Sequence, residues 1–479
     1  MRCHRHSAKL FLILAVIGIF TGFGLTPSDA AENGLTLEQR VARIEALQQP
    51  ASLPVNTGDN AWVLVSSALV LMMTAPGLIL FYGGLVRSKN VLATMMHSLI
   101  LMALVSTLWM VFGYSMAFAP GNGWSAAFVG NPFTYFMLRG VGAAPNPDYA
   151  GTVPQQSFML FQMMFAIITP ALISGAVAER IKFKAYVLFV LLWITIVYFP
   201  LCHMVWGKGG YFNWALGGRV PALDFAGGTV VHISSGVSAL VCALVLGKRA
   251  GYPQEPMMPH NVVLSLIGTG LLWVGWFGFN AGSALNAGTL ATSAFAATHF
   301  SAAAAALSWA AVEWFHKGRP SVLGAASGMV AGLATITPAS GFVTVPAAFG
   351  IGLTAGVVCY LAVTKLKAKF NYDDSLDVFG VHGVGSTIGM LMLGFLASTA
   401  VNPALASTFQ ANGIGVSLAG GGGQFTNQLL AVLFTVAYAG IVSFLLLKIV
   451  NALVGLRVHP EDEDAGLDLT QHGERAYSE

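Results

Sequence analysis

From Ala61 onward the chain alternates long apolar runs with short polar turns. Eleven runs stand out, near residues 61–84, 91–118, 155–178, 185–205, 226–247, 261–284, 288–314, 321–339, 344–364, 377–398 and 425–451. Such lengths suit helices, since about 20 apolar residues cross the hydrocarbon of a bilayer. Barrel strands would instead be alternating segments of about ten residues, and no such series is present. The pattern predicts an all-α polytopic membrane protein of about eleven transmembrane helices.

The charges between the runs orient them. With the first run passing from outside to inside, the inner turns hold Arg87, Lys89, Arg180, Lys182, Lys184, Lys248, Arg249, Lys317, Arg319, Lys365, Lys367 and Lys369. The outer loops hold Arg139, Lys208 and Arg219. Twelve against three follows the positive-inside rule. An odd number of runs then leaves the C-terminus in the cytoplasm.

Ahead of the first run, residues 1–30 read as a signal peptide. Arg2, Arg5 and Lys9 are its basic end, 10–25 its apolar core, and Ser28, Asp29 and Ala30 its cleavage site. An uncleaved helix is the alternative; cleavage places the mature N-terminus in the periplasm, above an inner membrane. Residues 31–59 are polar, with Leu37, Val41, Ile44 and Leu47 at helical spacing, as in a short coiled-coil stub or a solvated helix. The chain thus divides into 1–30, 31–59, a transmembrane domain over 60–452 and a cytoplasmic tail over 453–479.

Composition sharpens this reading. With 56% hydrophobic and 9% charged residues and a mean hydropathy of +0.71, a soluble domain, normally about 25% charged, is excluded. Cys3, Cys202, Cys242 and Cys359 form no CxxC spacing, so neither a disulfide framework nor a metal site is expected. No cofactor and no nucleic-acid partner are expected.

Against this apolar background the ionisable residues carry the information, because charge at membrane depth is costly and rare without a partner or a task. Asp224 precedes an apolar helix that holds His232, and Asp377 opens another that holds His382. One such His reads first as a core histidine bonded to a carbonyl. Two Asp-then-His starts, 150 residues apart, suggest two halves built alike whose rings meet between them. His232 shares its face with Gly228, Thr229, Ser235 and Gly236, and His382 with Gly385 and Ser386. Small faces let helices approach closely. Asp224 reads as an N-terminal cap ahead of Gly227 and Gly228, with a proton-accepting role as the alternative; Asp377 reads likewise as a cap.

Several segments resemble the ammonium transporter (Amt/Rhesus) family, over about Ala61 to Glu479. They are Pro76–Gly84, Ala178–Ile181, His203–Gly207, Ala222–His232, Gly275–Ser283, Asp377–Gly383 and Gly455–Val458. The resemblance is to the bacterial branch. It implies a homotrimer of eleven-helix subunits, each with a narrow pore between two inverted five-helix halves. By motif position it implies an outer recruitment site for ammonium at Trp206, Ser283 and Phe165, and a phenyl gate of Phe165 with Phe279. His232 and His382 would be the pore histidines and Asp224 the acidic residue of the vestibule. Phe161 is a second aromatic candidate beside Phe165. The tail would lie ordered against the cytoplasmic face and receive a PII-type nitrogen-regulatory protein, whereas composition alone suggests a disordered tail. Segment 31–59 falls outside the resemblance.

These residue types suit the chemistry. A bare cation in hydrocarbon costs on the order of 20 kcal/mol, while an aromatic face returns roughly 0.5–2 kcal/mol. Without the motif, Trp206 reads equally as an interface-belt tryptophan, and the two phenylalanines as packing. Paired neutral imidazoles share one hydrogen bond and still present polar edges to ammonia. A potassium ion has no proton to surrender, so passage as ammonia after deprotonation excludes it. The expected function is therefore ammonium transport without enzymatic chemistry. The alternatives are an ammonium sensor, which would normally carry an appended signalling domain, and a Rhesus-type ammonia or carbon dioxide channel, which has less use for a cation site. A membrane hydrolase finds no nucleophile elbow or metal-ligand spacing here.

Overall fold

The computed structural model describes residues 54–407 and 418–477. The leader and most of the polar segment after it lie outside the described residues. Among the described residues, ten helices are long and apolar enough to cross a membrane. They are α1 Thr57–Leu85, α2 Ser88–Phe118, α3 Gln155–Val177, α4 Phe183–Trp206, α5 Gly228–Leu246, α6 Val262–Gly282, α7 Thr289–Lys317, α9 Val345–Phe370, α10 Phe379–Leu396 and α11 Gly422–Val454. A shorter apolar helix, α8 Val322–Ile336, lies between α7 and α9. The all-α polytopic architecture is therefore as the hydrophobic pattern predicts, with differences at the ends. The first helix begins at Thr57, earlier than the apolar run, because Asn56 accepts from the Asp59 amide at 3.1 Å and so recruits polar residues into its first turn. Within it, Pro76 has no N–H to give, and a π-type turn over Met73–Leu78 absorbs the missing bond.

Burial divides the helices by role. In α3, 83% of the most apolar window is buried, against 33% in α11, so α3 runs through the interior while α11 keeps a broad exposed face. Leu64, Val263, Leu307 and Ile441 project from the outer helices, between 44% and 66% exposed. Small residues set the closest approaches. A Cβ at Gly268 in α6 would lie 2.3 Å from the Phe81 nitrogen of α1, and one at Gly352 in α9 would lie 2.3 Å from the Ser301 oxygen of α7. Only glycine lets these backbones touch.

The two ends of the bundle differ. At one, residues 119–154 and 207–227 form irregular loops with one short antiparallel hairpin, Pro145–Asn146 with Ala150–Pro154. At the other, short turns carry the basic residues. Several of these are held in a buried network: Arg249 binds Asp373 through Nη2 at 2.8 Å and Nε at 2.9 Å, and Arg87 binds Glu179 at 2.7 Å. Arg180 donates to the Gly247 carbonyl at 2.9 Å and the Asp373 carbonyl at 2.6 Å. The tail packs on this same face. Lys182 N donates to Leu456 O at 2.9 Å, Glu463 accepts from Ala250 N at 2.7 Å, and Asp468 accepts from Ala93 N at 2.8 Å. The solvated tail that composition suggests is thus replaced, up to residue 477, by an ordered one.

Candidate functional site

α5 begins where the sequence places a carboxylate, and its hydrogen bonds explain why. The first amides of a helix have no partners within it. Asp224 accepts from Gly227 N at 2.7 Å, Gly228 N at 2.6 Å and Thr229 N at 2.8 Å, and from the Thr229 hydroxyl. Gly227 makes this possible with φ +116°, a left-handed conformation open to glycine. Burial pushes the Asp224 carboxyl above its ordinary range, against the hydrogen bonds that hold it down. Its backbone carbonyl accepts from Trp206 Nε1 at 3.0 Å, which fixes the indole.

α10 is built in the same way, with one correction to the sequence reading. Asp377 is not the cap. It has φ +61° and pairs with Lys367 at 2.6 Å. The cap is Asp374, whose Oδ2 accepts from Phe379 N at 2.7 Å. Burial pushes the Asp374 carboxyl up to about 6, with Lys367 opposing. Asp374 precedes His382 by eight residues, as Asp224 precedes His232 by eight. Both aspartates are 1% exposed, and both helices open with a π-type turn that contains the histidine, Gly228–Ile233 and Phe379–Gly383.

The two helices bring their histidines together. Nδ1 of His232 lies 3.2 Å from Nδ1 of His382, with ring planes 17° apart and centroids 5.1 Å apart. Two Nδ1 atoms at this distance require one to donate and the other to accept, so the neutral pair carries opposite tautomers. The approach depends on glycine. A Cβ at Gly236, one turn after His232, would lie 2.3 Å from Gly383 N and 2.5 Å from its Cα.

Aromatic rings continue the line. His232 stacks on Trp276 at 5.5 Å and Phe279 at 5.8 Å. Phe279 meets Phe165 at 4.3 Å, and Phe165 meets Trp206 edge to face at 5.9 Å. Phe165 and Phe279 are 1% and 0% exposed. Beyond Phe165 opens a cavity of about 290 Å³ at the loop end, bordered by Phe165, Trp206, Asp224 and Ser283. Phe161 packs behind Phe165 at 5.0 Å and does not border that cavity. At the basic end, His382 borders a second cavity of about 210 Å³ with Phe81, Tyr82, Trp309 and Asp377. The named residues thus form one file: cavity, phenyl pair, histidine pair, cavity. His232 Nε2 is buried without a hydrogen-bond partner among the described residues. The Ser283 hydroxyl donates to the Phe279 carbonyl at 2.8 Å, leaving its oxygen lone pairs for a guest.

The sequence reading missed Asp374 and Trp276. The eight-residue spacing from Asp224 to His232 was a usable signal for the first. Trp276 carried none, since a tryptophan in an apolar run reads as packing; here its Nε1 donates to Thr337 at 2.8 Å beneath the His232 ring.

A family model described as the Ammonium Transporter Family matches residues 61–477. An ammonium transporter of Bacillus subtilis (strain 168) is 48% identical over 422 residues, covering 88% of this chain and 99% of that protein. A putative ammonium transporter of Methanothermobacter thermautotrophicus is 47% identical over 423 residues, with the same coverage of 88% and 99%. The crystal structure of Saccharomyces cerevisiae Mep2 superposes with a TM-score of 0.76 at 35% identity, over 85% of this chain and 89% of that one.

Proposed function

Since this chain belongs to the ammonium transporter family, we propose that each copy recruits ammonium at its loop end and parts it into ammonia, which passes along His232 and His382, and a proton, which crosses separately, so that net charge moves. The loop-end cavity is the outer mouth. There the Trp206 and Phe165 rings attract the cation and Ser283 accepts one of its N–H bonds. Phe165 and Phe279 form the gate, since Phe165 borders that cavity and Phe279 packs against it at 4.3 Å. Asp224 acts as the cap that holds the α5 start and Trp206, its oxygens being engaged by backbone amides.

The single observation carrying this reading is the contact of two buried histidines between two cavities. A cation that enters this file loses its hydration shell, and the ring edges of a neutral pair cannot replace it. Ammonia needs one acceptor and one donor at a time, which His232 Nε2 and the shared tautomers supply. Proton and ammonia therefore separate above the phenyl pair.

The assembly and setting belong to the same proposal. The protein is a homotrimer in a bacterial inner membrane, with the processed N-terminus in the periplasm and the basic face and tail in the cytoplasm, where a PII-type regulator docks. The support for the orientation is the basic bias of the short turns and the packing of the tail on that same face. The protein transports its substrate without a covalent reaction or a cofactor.

The test is electrical. Purified wild-type protein in a planar membrane should give an ammonium-evoked current, and His382→Ala should reduce it at least about tenfold. A full-sized current in folded His382→Ala protein would remove the histidine pair from the pathway.

A further inference from the structure

We propose that Gln162 is a second acceptor at the recruitment site and sets its preference for cations bearing many N–H bonds; this rests on the reading of the outer cavity given above. Gln162 lies on α3 between Phe158 and Phe165, at i+4 and i−3, so the three share one helix face. All three border the cavity with Trp206 and Ser283. Gln162 is 9% exposed, and its Oε1 is buried with no hydrogen-bond partner among the described residues.

Among the described residues Asn280 Oδ1 is also buried without a partner, but it does not border this cavity, and other buried amide oxygens are satisfied. Gln155, two turns earlier on α3, donates to the Tyr114 hydroxyl at 3.2 Å. Gln428 donates to the Leu223 carbonyl at 2.7 Å and accepts from Leu223 N at 2.7 Å. Several other polar groups of the cavity are engaged. Asn213 spends its amide on Gly207 O, Ala215 N and Leu216 N. Asp148 pairs with Lys208 at 2.7 Å. A buried amide oxygen without a partner is unfavourable unless a guest supplies the donor. The terminal amide torsion is soft, so the carbonyl can turn into the cavity without repacking the helix.

Two oxygens, from Ser283 and Gln162, then accept two N–H bonds of one cation while the Trp206 and Phe165 rings take the rest of its surface. Such a site counts N–H bonds. Ammonium can turn any two of its four equivalent N–H bonds to the two acceptors. Methylammonium does so only when its methyl group points elsewhere, and potassium offers no donor.

The experiment measures half-saturating concentrations of ammonium and methylammonium for the full-length protein in proteoliposomes on a solid-supported membrane. Gln162→Leu, which keeps the bulk and removes the acceptor, should raise half-saturation by ammonium about tenfold and by methylammonium less, so that the preference falls about threefold. Gln162→Glu should lower half-saturation for both. Half-saturation within about twofold of wild type in Gln162→Leu would overturn the proposal, as would equal shifts for the two cations, which is the signature of lost packing. If Gln162→Leu does not fold, Gln162→Asn, which withdraws the amide by one methylene, is read by the same criteria. Trp206→Leu and Ser283→Ala separate the two levels of the argument. Should both leave half-saturation unchanged, the recruitment site itself is misplaced; should they shift while the Gln162 variants do not, only the role of Gln162 falls.

Discussion

At the scale of residues, the site depends on where hydrogen-bonding capacity has already been used. Asp224 directs its oxygens at the α5 amides, Trp206 spends its N–H on Asp224 O, and Ser283 spends its proton on Phe279 O. The cavity is thereby lined with ring faces and lone pairs, which suit a small cation with N–H donors. Ser283→Ala is expected to raise half-saturating ammonium about tenfold without lowering the melting temperature, measured by transport assay and thermal unfolding. Asp224→Asn turns an amide NH2 toward backbone donors and should destabilise the fold by at least about 2 kcal/mol. Unchanged melting with transport abolished would instead assign Asp224 to the proton's path. The sequence displayed most of these residues, because ionisable and indole groups are conspicuous in an apolar chain. Asp374 went unread because Asp373, Asp374 and Asp377 compete in one short turn, where the eight-residue spacing to His382 is the one sequence signal for it; the hydrogen bonds separate them, Asp373 answering Arg249, Asp377 answering Lys367, and Asp374 capping α10.

The helix elements convert those residues into a file. α5 and α10 each start on a buried aspartate, open with a π-type turn and place a histidine eight residues after the cap. Neither turn was legible, because a π-type turn depends on tertiary contacts and leaves no apolar period of its own. The glycine faces were legible, and their consequence is measurable. Gly236→Ala puts a methyl group against the Gly383 backbone, which has no flexible side chain to yield. The expected outcome is separation of α5 from α10, a loss of about 1–3 kcal/mol in stability and at least a tenfold drop in ammonium uptake. Uptake at the wild-type rate would mean that the ring contact is not required. At the basic end of the bundle, Glu179 after α3 sits between Arg87 and Arg249 with its side chain 0% exposed. Glu179→Ala leaves two guanidinium groups without that partner and should cost about 3–5 kcal/mol, read as a fall in melting temperature.

For the whole molecule, the alternation of apolar runs and basic turns was sufficient to define the polytopic helical fold. Apart from the Asp224 cap, the shapes of the loops over residues 119–154 and 207–227 were not legible, because they follow from packing rather than from a repeat. The tail shows a similar limit. Its acidic composition reads as solvated, yet Glu463 and Asp468 are consumed as acceptors for the Ala250 and Ala93 amides. Truncation after Val454 should speed hydrogen exchange at the Ala93, Lys182 and Ala250 amides by at least about tenfold and abolish binding of a PII-type regulator. Unchanged exchange at those three amides would show that the tail does not brace this face.

The function proposed here turns on how the molecule rejects potassium, and one measurement reaches that point directly: potassium conductance of His232→Asp in proteoliposomes, beside wild type. If proton removal ahead of a neutral imidazole pair is the filter, a carboxylate in its place lets an intact cation through. Potassium current should then appear in the variant and be absent from wild type. Continued exclusion of potassium by a folded, ammonium-conducting His232→Asp protein would contradict the account.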